Sequence, residues 1–164
     1  MDESESLAAR VVFGMGQMRV RWGAPEENLE KAAEMIRRAG TRGCELLVLP
    51  ECLDIGWTHP EAAELARPVP GAHTDILCRA AAEAGLMVAA GLTESAGNRI
   101  FNSAVLISAS GEILLKHRKI NILTIAQHIY EVGHSLAVAE CSRLGRVGLN
   151  ICADNFRTSL ALDR

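Results

Sequence analysis

The order of its short apolar runs constrains the fold of this chain more than any other feature. Residues 10–18, 45–49 and 86–93 are apolar, β-compatible and short enough to form buried strands. Between them, residues 25–39 and 73–84 carry apolar side chains at helical spacing. A proline opens the first of these segments and glycines follow both, as is typical of helix ends. This order predicts a β-α-β-α-β unit in which helices cover a sheet.

The remainder of the chain predicts strands that are joined by hairpins. Residues 103–107 and 112–116 flank a Ser-Gly turn, and residues 135–139 and 146–151 are joined near Gly145. No internal repeat, low-complexity stretch or interdomain linker interrupts the pattern. The sequence therefore predicts a layered α/β (α+β) domain.

Composition and charge disfavour several classes of function. The 164 residues are 49% hydrophobic and 23% charged, which is typical of one soluble globular domain. A net charge of −3 offers no basic surface to nucleic acid or to an anionic membrane. Residues 1–9 are predicted to be a disordered acidic tail without signal-peptide features, which leaves the domain at 10–164. Five unpatterned cysteines and no bilayer-length apolar run predict a cytoplasmic protein with free thiols.

Three reactive side chains, those of Glu51, Lys119 and Cys152, each follow an apolar run of the strand type. A carboxylate can accept and return a proton, and an ammonium can stabilise an oxyanion. A thiol at a strand-to-helix turn is placed to act as a nucleophile. Singly, each has an ordinary alternative: a surface or capping acid, a solvated basic edge shared with Lys116 and Arg118, and a small apolar filler. Their joint occurrence favours one site that attacks an unreactive C–N bond.

The segments around these residues resemble the nitrilase, or carbon-nitrogen hydrolase, superfamily. The matching segments are 47–51 (LVLPE), 88–92 (VAAGL), 101–104 (FNSA), 110–112 (SGE), 117–120 (HRKI) and 145–154 (GRVGLNICAD). Asn28, in the first predicted helix, also falls where the family usually has asparagine. The resemblance extends from about residue 10 to the end of the chain.

The resemblance implies an α-β-β-α sandwich, two of which usually pack into a homodimer or a larger homo-oligomer. It implies a Glu-Lys-Cys triad without metal or organic cofactor. Glu51 is then the general base, Lys119 the oxyanion stabiliser and Cys152 the nucleophile, and the backbone N–H of Ala153 is the expected second oxyanion donor. The implied substrate is a small amide, carbamoyl compound or nitrile. It is hydrolysed through a cysteine thioester, and ammonia or an amine is released.

The sequence also departs from the family pattern. It ends at Arg164, inside the helix expected after the nucleophile, so the sandwich is predicted to be truncated. A further glutamate of many members falls near Ala126 here, and Glu131 is out of register with it. Residues 157–158 (Arg-Thr) replace a frequent Pro-Glu pair. Two alternatives therefore remain: an inactive fragment that serves as a subunit or interaction module, and acyl transfer to an amine instead of water.

Four residues near these motifs have ordinary interpretations. His128 and His134 match no zinc-binding pattern and are predicted to be surface residues. Trp57 is expected either to line the pocket or to pack beside it. Cys52 adjoins Glu51 and is predicted to pack next to the site.

Overall fold

The computed structural model describes residues 10–156, whose helices and strands follow the predicted order. The strands are β1 (Phe13–Met15), β2 (Leu46–Val48), β3 (Met87–Ala96), β4 (Arg99–Ile107), β5 (Ile113–Arg118), β6 (Val138–Cys141) and β7 (Gly145–Gly148). The helices are α1 (Pro25–Thr41), α2 (Ala62–Leu65) and α3 (Ala72–Ala84). Two 3₁₀ turns lie at Thr124–Ala126 and Cys152–Phe156.

The first five strands form one sheet in their order along the chain. β1, β2 and β3 are parallel because helices connect them, whereas β3–β4 and β4–β5 are antiparallel hairpins. β5 consequently runs in the same direction as β2 and β3. The residues that follow β2 and β5 therefore emerge at the same edge of the sheet, although they are far apart in sequence.

The helices cover one face of this sheet. The apolar face predicted for α1 is buried, with Leu29 and Ile36 at its centre. Leu47 of β2, Val88 of β3 and Val105 of β4 project from the sheet into the same core. Because successive strand residues point to opposite faces, the alternate residues of these strands belong to a second core.

That second core lies under the β6–β7 hairpin. Leu46, Leu106 and Leu115 of the sheet pack there against Ala139 and Cys141 of β6. Residues 10–156 thus form an α-β-β stack, as the predicted sandwich requires. The predicted α/β class is confirmed, and the helix predicted to follow Phe156 lies outside the described residues.

Several strand boundaries differ from the predicted ones: β4 begins at Arg99 instead of residue 103, β6 lies at Val138–Cys141 instead of 135–139, and β1 and β7 differ as well. β1 lies at the edge of the sheet and pairs with β2 over three residues only, so it is shorter than the predicted run at 10–18. β7 ends at Gly148 instead of Ile151, because the backbone N–H of Ile151 donates to the carboxylate of Asp154. That bond turns the chain out of the hairpin just before Cys152.

The basic side chains of β5 are also placed differently from the prediction. Lys116 and Arg118 do not form a solvated edge, since both donate to the buried carboxylate of Glu94, at 2.8 and 2.6 Å. Burial alone would raise the pKa of Glu94, but hydrogen bonds from Arg118, Lys116 and Ser103 lower it below its usual value. These ion pairs join β3 to β5 across the sheet.

Within residues 10–156, no helix combines the length and the apolar character needed to cross a membrane.

Candidate active site

Glu51 lies in a turn that follows β2 and packs directly on β3. The turn is fixed by two backbone hydrogen bonds to Gly91, one from its N–H to the carbonyl of Pro50 and one to its carbonyl from the N–H of Leu53. A Cβ atom on Gly91 would lie 2.6 Å from the Cα atom of Glu51 and 2.8 Å from the carbonyl oxygen of Pro50. Only a residue without a side chain allows this approach, so Gly91 sets the position of Glu51.

Lys119 follows β5 and directs its ammonium group towards Glu51. Its Nζ atom lies 2.5 Å from Oε1 of Glu51, and the lysine side chain is only 2% exposed. Nδ2 of Asn102, on β4, donates to the same oxygen at 2.7 Å. The structure thus places the two predicted site residues in contact and adds Asn102 as a second donor that the sequence did not single out. The sequence alone does not show which amide side chain will donate a hydrogen bond to a given carboxylate.

The backbone of Lys119 is held from both sides. Its N–H donates to the carbonyl of Asn102, and its carbonyl accepts from the N–H of Gly133, each at 2.8 Å. A Cβ atom on Gly133 would lie 2.0 Å from the carbonyl oxygen of Arg118, so glycine is required there. Gly133 thus allows this segment to pack against the backbone that carries Lys119.

Cys152 begins the 3₁₀ turn that follows β7, and it has a φ of +44°. A non-glycine residue in this region costs about 1–3 kcal/mol, and such strain is typical of functional sites. The residue is exposed, so its thiol is accessible. Cys152 and Glu51 both line one cavity of about 180 Å³, together with residues of β2, β3, β4 and the segment 149–151. The third predicted residue therefore opens onto the same cavity as the first.

Asp154 is a buried carboxylate that the sequence analysis left without a role. It is two residues beyond Cys152 and accepts hydrogen bonds from the backbone N–H groups of Ile120, Asn121 and Ile151. Nε2 of His117 lies 2.9 Å from its Oδ2 atom. Its neighbours Ala153 and Asn155 give no sign in the sequence that this acid is buried.

The electrostatics of Asp154 favour its charged form. Burial alone would raise the pKa of this carboxyl group, but hydrogen bonds from His117, Asn121 and Ile151 lower it below its ordinary value. Asp154 is therefore ionised at neutral pH. Because a carboxylate only accepts hydrogen bonds, Nε2 of His117 carries the proton between them.

Cys52 packs beside the site, as predicted, and is fully buried. Its Sγ atom lies 3.7 Å from the hydroxyl oxygen of Tyr130. Burial, together with the charge of Asp54, raises the pKa of Cys52 to about 12, so this thiol stays protonated and inert. Trp57 packs against the same cluster. Of the thiols of Cys52 and Cys152, only that of Cys152 is exposed and lines the cavity.

The other residues considered in the sequence do not contact Glu51 or Lys119 through their side chains. Ala126 is buried against Cys52 and Tyr130, whereas Glu131 is exposed. Among residues 10–156, Glu51 is the one acid that forms an ion pair with Lys119. His128 and His134 are on the surface, and no three potential metal-binding side chains are grouped in the described part of the chain.

A larger cavity, of about 750 Å³, lies at the opposite end of β2. Its lining includes Glu45 and Arg143, which pair with each other at 2.8 Å. The smaller cavity, by contrast, brings an exposed thiol together with a carboxylate that is held by a buried lysine. We therefore assign the site to the smaller cavity.

Comparison with known proteins agrees with the fold and with the motifs. The model of the carbon-nitrogen hydrolase family matches residues 13–163. A nitrilase of Pyrococcus abyssi is 34% identical over 137 residues, which are 80% of this chain and 52% of that protein. An omega-amidase of Xenopus laevis is 28% identical over 145 residues, which are 82% of this chain and 52% of that protein. The chain thus spans about half the length of these relatives.

Solved structures show the same architecture. A variant of an amidase of the nitrilase superfamily from Nesterenkonia superposes with a TM-score of 0.81 at 19% identity, covering 92% of this chain and 58% of that one. A carbon-nitrogen hydrolase from Helicobacter pylori superposes with a TM-score of 0.79 at 21% identity, covering 92% of this chain and 54% of that one. The resemblance recognised in the sequence is confirmed: this chain belongs to the carbon-nitrogen hydrolase family.

Proposed function

We propose that this protein hydrolyses the C–N bond of a small amide, carbamoyl compound or nitrile through a thioester on Cys152. The observation that carries the proposal is that Glu51 lines one cavity with Cys152 and is in contact with Lys119 behind it. Membership of the family supports the reaction class. The amidases and omega-amidases among the relatives favour an amide as the substrate.

Acylation begins when Glu51 accepts the thiol proton of Cys152 and the sulfur attacks the amide carbon. The new C–S bond leaves a negative charge on the former carbonyl oxygen. The ammonium of Lys119 and the backbone N–H of Ala153 stabilise that oxyanion in a site from which water is partly excluded. Glu51 then returns the proton to the nitrogen, the C–N bond breaks, and ammonia or an amine leaves.

Deacylation uses the same groups in the same roles. Glu51 removes a proton from a water molecule, which attacks the thioester carbon and forms a second oxyanion at Lys119. Collapse of that intermediate breaks the C–S bond, releases the carboxylic acid and returns the proton to Cys152. A nitrile enters the same sequence through a thioimidate, which takes up water and loses ammonia to become the thioester. The proposal requires no metal or organic cofactor.

Release of ammonia from a panel of small amides, carbamoyl compounds and nitriles tests this proposal. We expect Cys152→Ala to abolish release, because it removes the nucleophile. Cys78→Ala is the matched control, since Cys78 is a half-buried thiol on α3, away from the cavity. Turnover by Cys152→Ala at the wild-type rate would refute the assignment. Formation of an N-substituted amide when hydroxylamine is added would instead assign acyl transfer.

We further propose that the protein acts in the cytoplasm as a homodimer or a larger homo-oligomer. Two apolar side chains of the edge strand β1 support an interface, since Phe13 is 58% exposed and Met15 is 84% exposed. The same surface is also compatible with the alternative of a non-catalytic subunit or interaction module. Sedimentation equilibrium tests assembly, and a stable monomer would contradict it. Ammonia release decides between an enzyme and a subunit.

A further inference from the structure

One buried carboxylate connects the segment that carries Lys119 to the turn that carries Cys152. Oδ1 of Asp154 accepts from the backbone N–H groups of Ile120 at 3.1 Å and Asn121 at 2.8 Å. These two residues directly follow Lys119. The bridge to Ile120 spans 34 positions of the sequence, so it fixes two distant parts of the chain relative to each other.

The second oxygen of Asp154 holds the other side of the connection. Oδ2 accepts from the backbone N–H of Ile151, which directly precedes Cys152, at 3.2 Å. It also accepts from Nε2 of His117, on β5, at 2.9 Å. The carboxylate is 7% exposed and has four donors, so it has one well-defined orientation. Charge-assisted hydrogen bonds of this kind are about twice as strong as neutral ones.

The consequence for Cys152 is geometric. Its φ of +44° is unfavourable, so the turn needs an external constraint to keep it. The bond from Ile151 to Asp154 closes the chain around Cys152, and the bonds from Ile120 and Asn121 tie the turn to the strand end that presents Lys119. The relative position of nucleophile and oxyanion stabiliser then depends on a residue that is not expected to touch the substrate.

We propose that Asp154, held by His117, is a positioning residue that sets the distance between Cys152 and Lys119. This inference rests on the proposed function for its catalytic consequence, whereas its structural content can be measured without turnover. In this proposal the segment 117–119 has two roles: His117 anchors the turn that carries Cys152, and Lys119 faces the substrate.

The first test compares Asp154→Asn with wild type. The variant keeps one acceptor oxygen but turns an amide N–H₂ towards donors. We expect kcat to fall about 100-fold with KM within about threefold, since a displacement near 1 Å has an effect of that size. Asp75→Asn is the control, because it makes the same exchange on an exposed residue of α3.

The second test changes His117, so that the proposal can still be tested if Asp154→Asn does not fold. His117→Phe removes one donor and leaves the three backbone donors of Asp154 in place. We expect kcat to fall about tenfold, which lies between no effect and the roughly 100-fold loss expected for a displacement near 1 Å. His117→Gln retains an N–H donor, and we expect it to recover at least half of the lost activity. A loss that glutamine does not rescue would overturn the role of His117.

Amide hydrogen exchange separates positioning from a general structural role. In Asp154→Asn we expect faster exchange of the N–H groups of Ile120, Asn121 and Ile151, with unchanged protection in β3 and β4. Uniformly faster exchange across the sheet, or no change at the three amides, would overturn the proposal. If the wild type releases no ammonia, the proposed function fails. The exchange data and the rate of Cys152 alkylation by iodoacetamide then decide the positioning role alone: local changes support it, and their absence refutes it.

Discussion

Gly91 is the position at which one added methyl group would move Glu51 without touching any reactive side chain. A Cβ atom there would lie 2.6 Å from the Cα atom of Glu51, whereas ordinary contact begins at 3.4 Å. The backbone of the Glu51 turn would therefore have to retreat by about 0.8 Å, because the atoms it meets are all backbone atoms. β3, which carries Gly91, cannot move away instead, because it is hydrogen-bonded to β2 on one side and to β4 on the other.

We expect Gly91→Ala to affect activity more than stability. A displacement close to 1 Å at a catalytic group lowers kcat about 100-fold. Overpacking of a core position lowers the free energy of unfolding by about 1–3 kcal/mol, which leaves most of a typical domain folded. Steady-state ammonia release measures the first quantity, and urea unfolding measures the second.

Gly148→Ala is the matched control for this experiment. The nearest atom to a Cβ at Gly148 is Cγ1 of Val138 at 3.7 Å, which is an ordinary contact. We expect its kcat to stay within about twofold of wild type, since no atom has to move. A Gly91→Ala protein that keeps full kcat would refute the argument that this close approach sets the position of Glu51. An equal loss of kcat in Gly148→Ala would show that added bulk in any strand is sufficient.

Three further predictions concern individual side chains. Iodoacetamide should label Cys152 in the native protein at neutral pH but leave Cys52 unmodified until unfolding, because burial raises the pKa of Cys52 to about 12; peptide mass spectrometry measures this. Asn102→Ala should lower kcat about tenfold at unchanged KM in steady-state assays, since one donor to Glu51 is lost. Glu94→Gln should lower the free energy of unfolding by about 2 kcal/mol at pH 7, between the values for exposed and buried ion pairs. Because the pKa of Glu94 is lowered in the folded protein, the full stability difference is present above the unfolded-state pKa near 4.5. It is lost as the pH falls through the folded-state pKa, and urea unfolding at several pH values measures this.

Each of these predictions has an outcome that contradicts it. Labelling of Cys52 in the native state would contradict the assigned burial. An Asn102→Ala protein with wild-type kcat would show that Lys119 alone holds the carboxylate of Glu51. A stability difference for Glu94→Gln that does not shrink at any pH below 4.5 would exclude the ion pairs as its cause.

The order of the elements could be predicted from the sequence because it depends on local patterns. Apolar periodicity shows which positions are buried, and helix-ending glycines show where the chain turns. Both signals are visible within about ten residues. The ends of the strands could not be predicted in this way. β7 stops at Gly148, and beyond it the N–H of Ile151 donates to Asp154, whose carboxylate is held by the distant His117 and Ile120; β1 is short because it lies at the sheet edge.

Local patterns also singled out Glu51, Lys119 and Cys152, since each reactive side chain follows an apolar run. That Glu51 and Lys119 lie at the same end of the sheet followed from the shared direction of β2 and β5, which only the sheet topology fixes. Cys152 follows β7 of the second sheet, and it lines a cavity with Glu51 because that hairpin packs on the first sheet. The motif drew attention to the residues, and the topology brought Lys119 within 2.5 Å of Glu51.

The partners of the buried polar groups were decided by tertiary structure alone. Asn102 reaches Glu51 across 51 positions of the sequence, and Asp154 reaches His117 across 37. Lys116 was predicted to be solvated and instead joins Arg118 on Glu94. A sequence pattern reports whether a position is buried, but a buried charge is stable only with a partner of matching geometry. Which partner is available depends on how the layers pack, so the tertiary structure determines it and no single segment does.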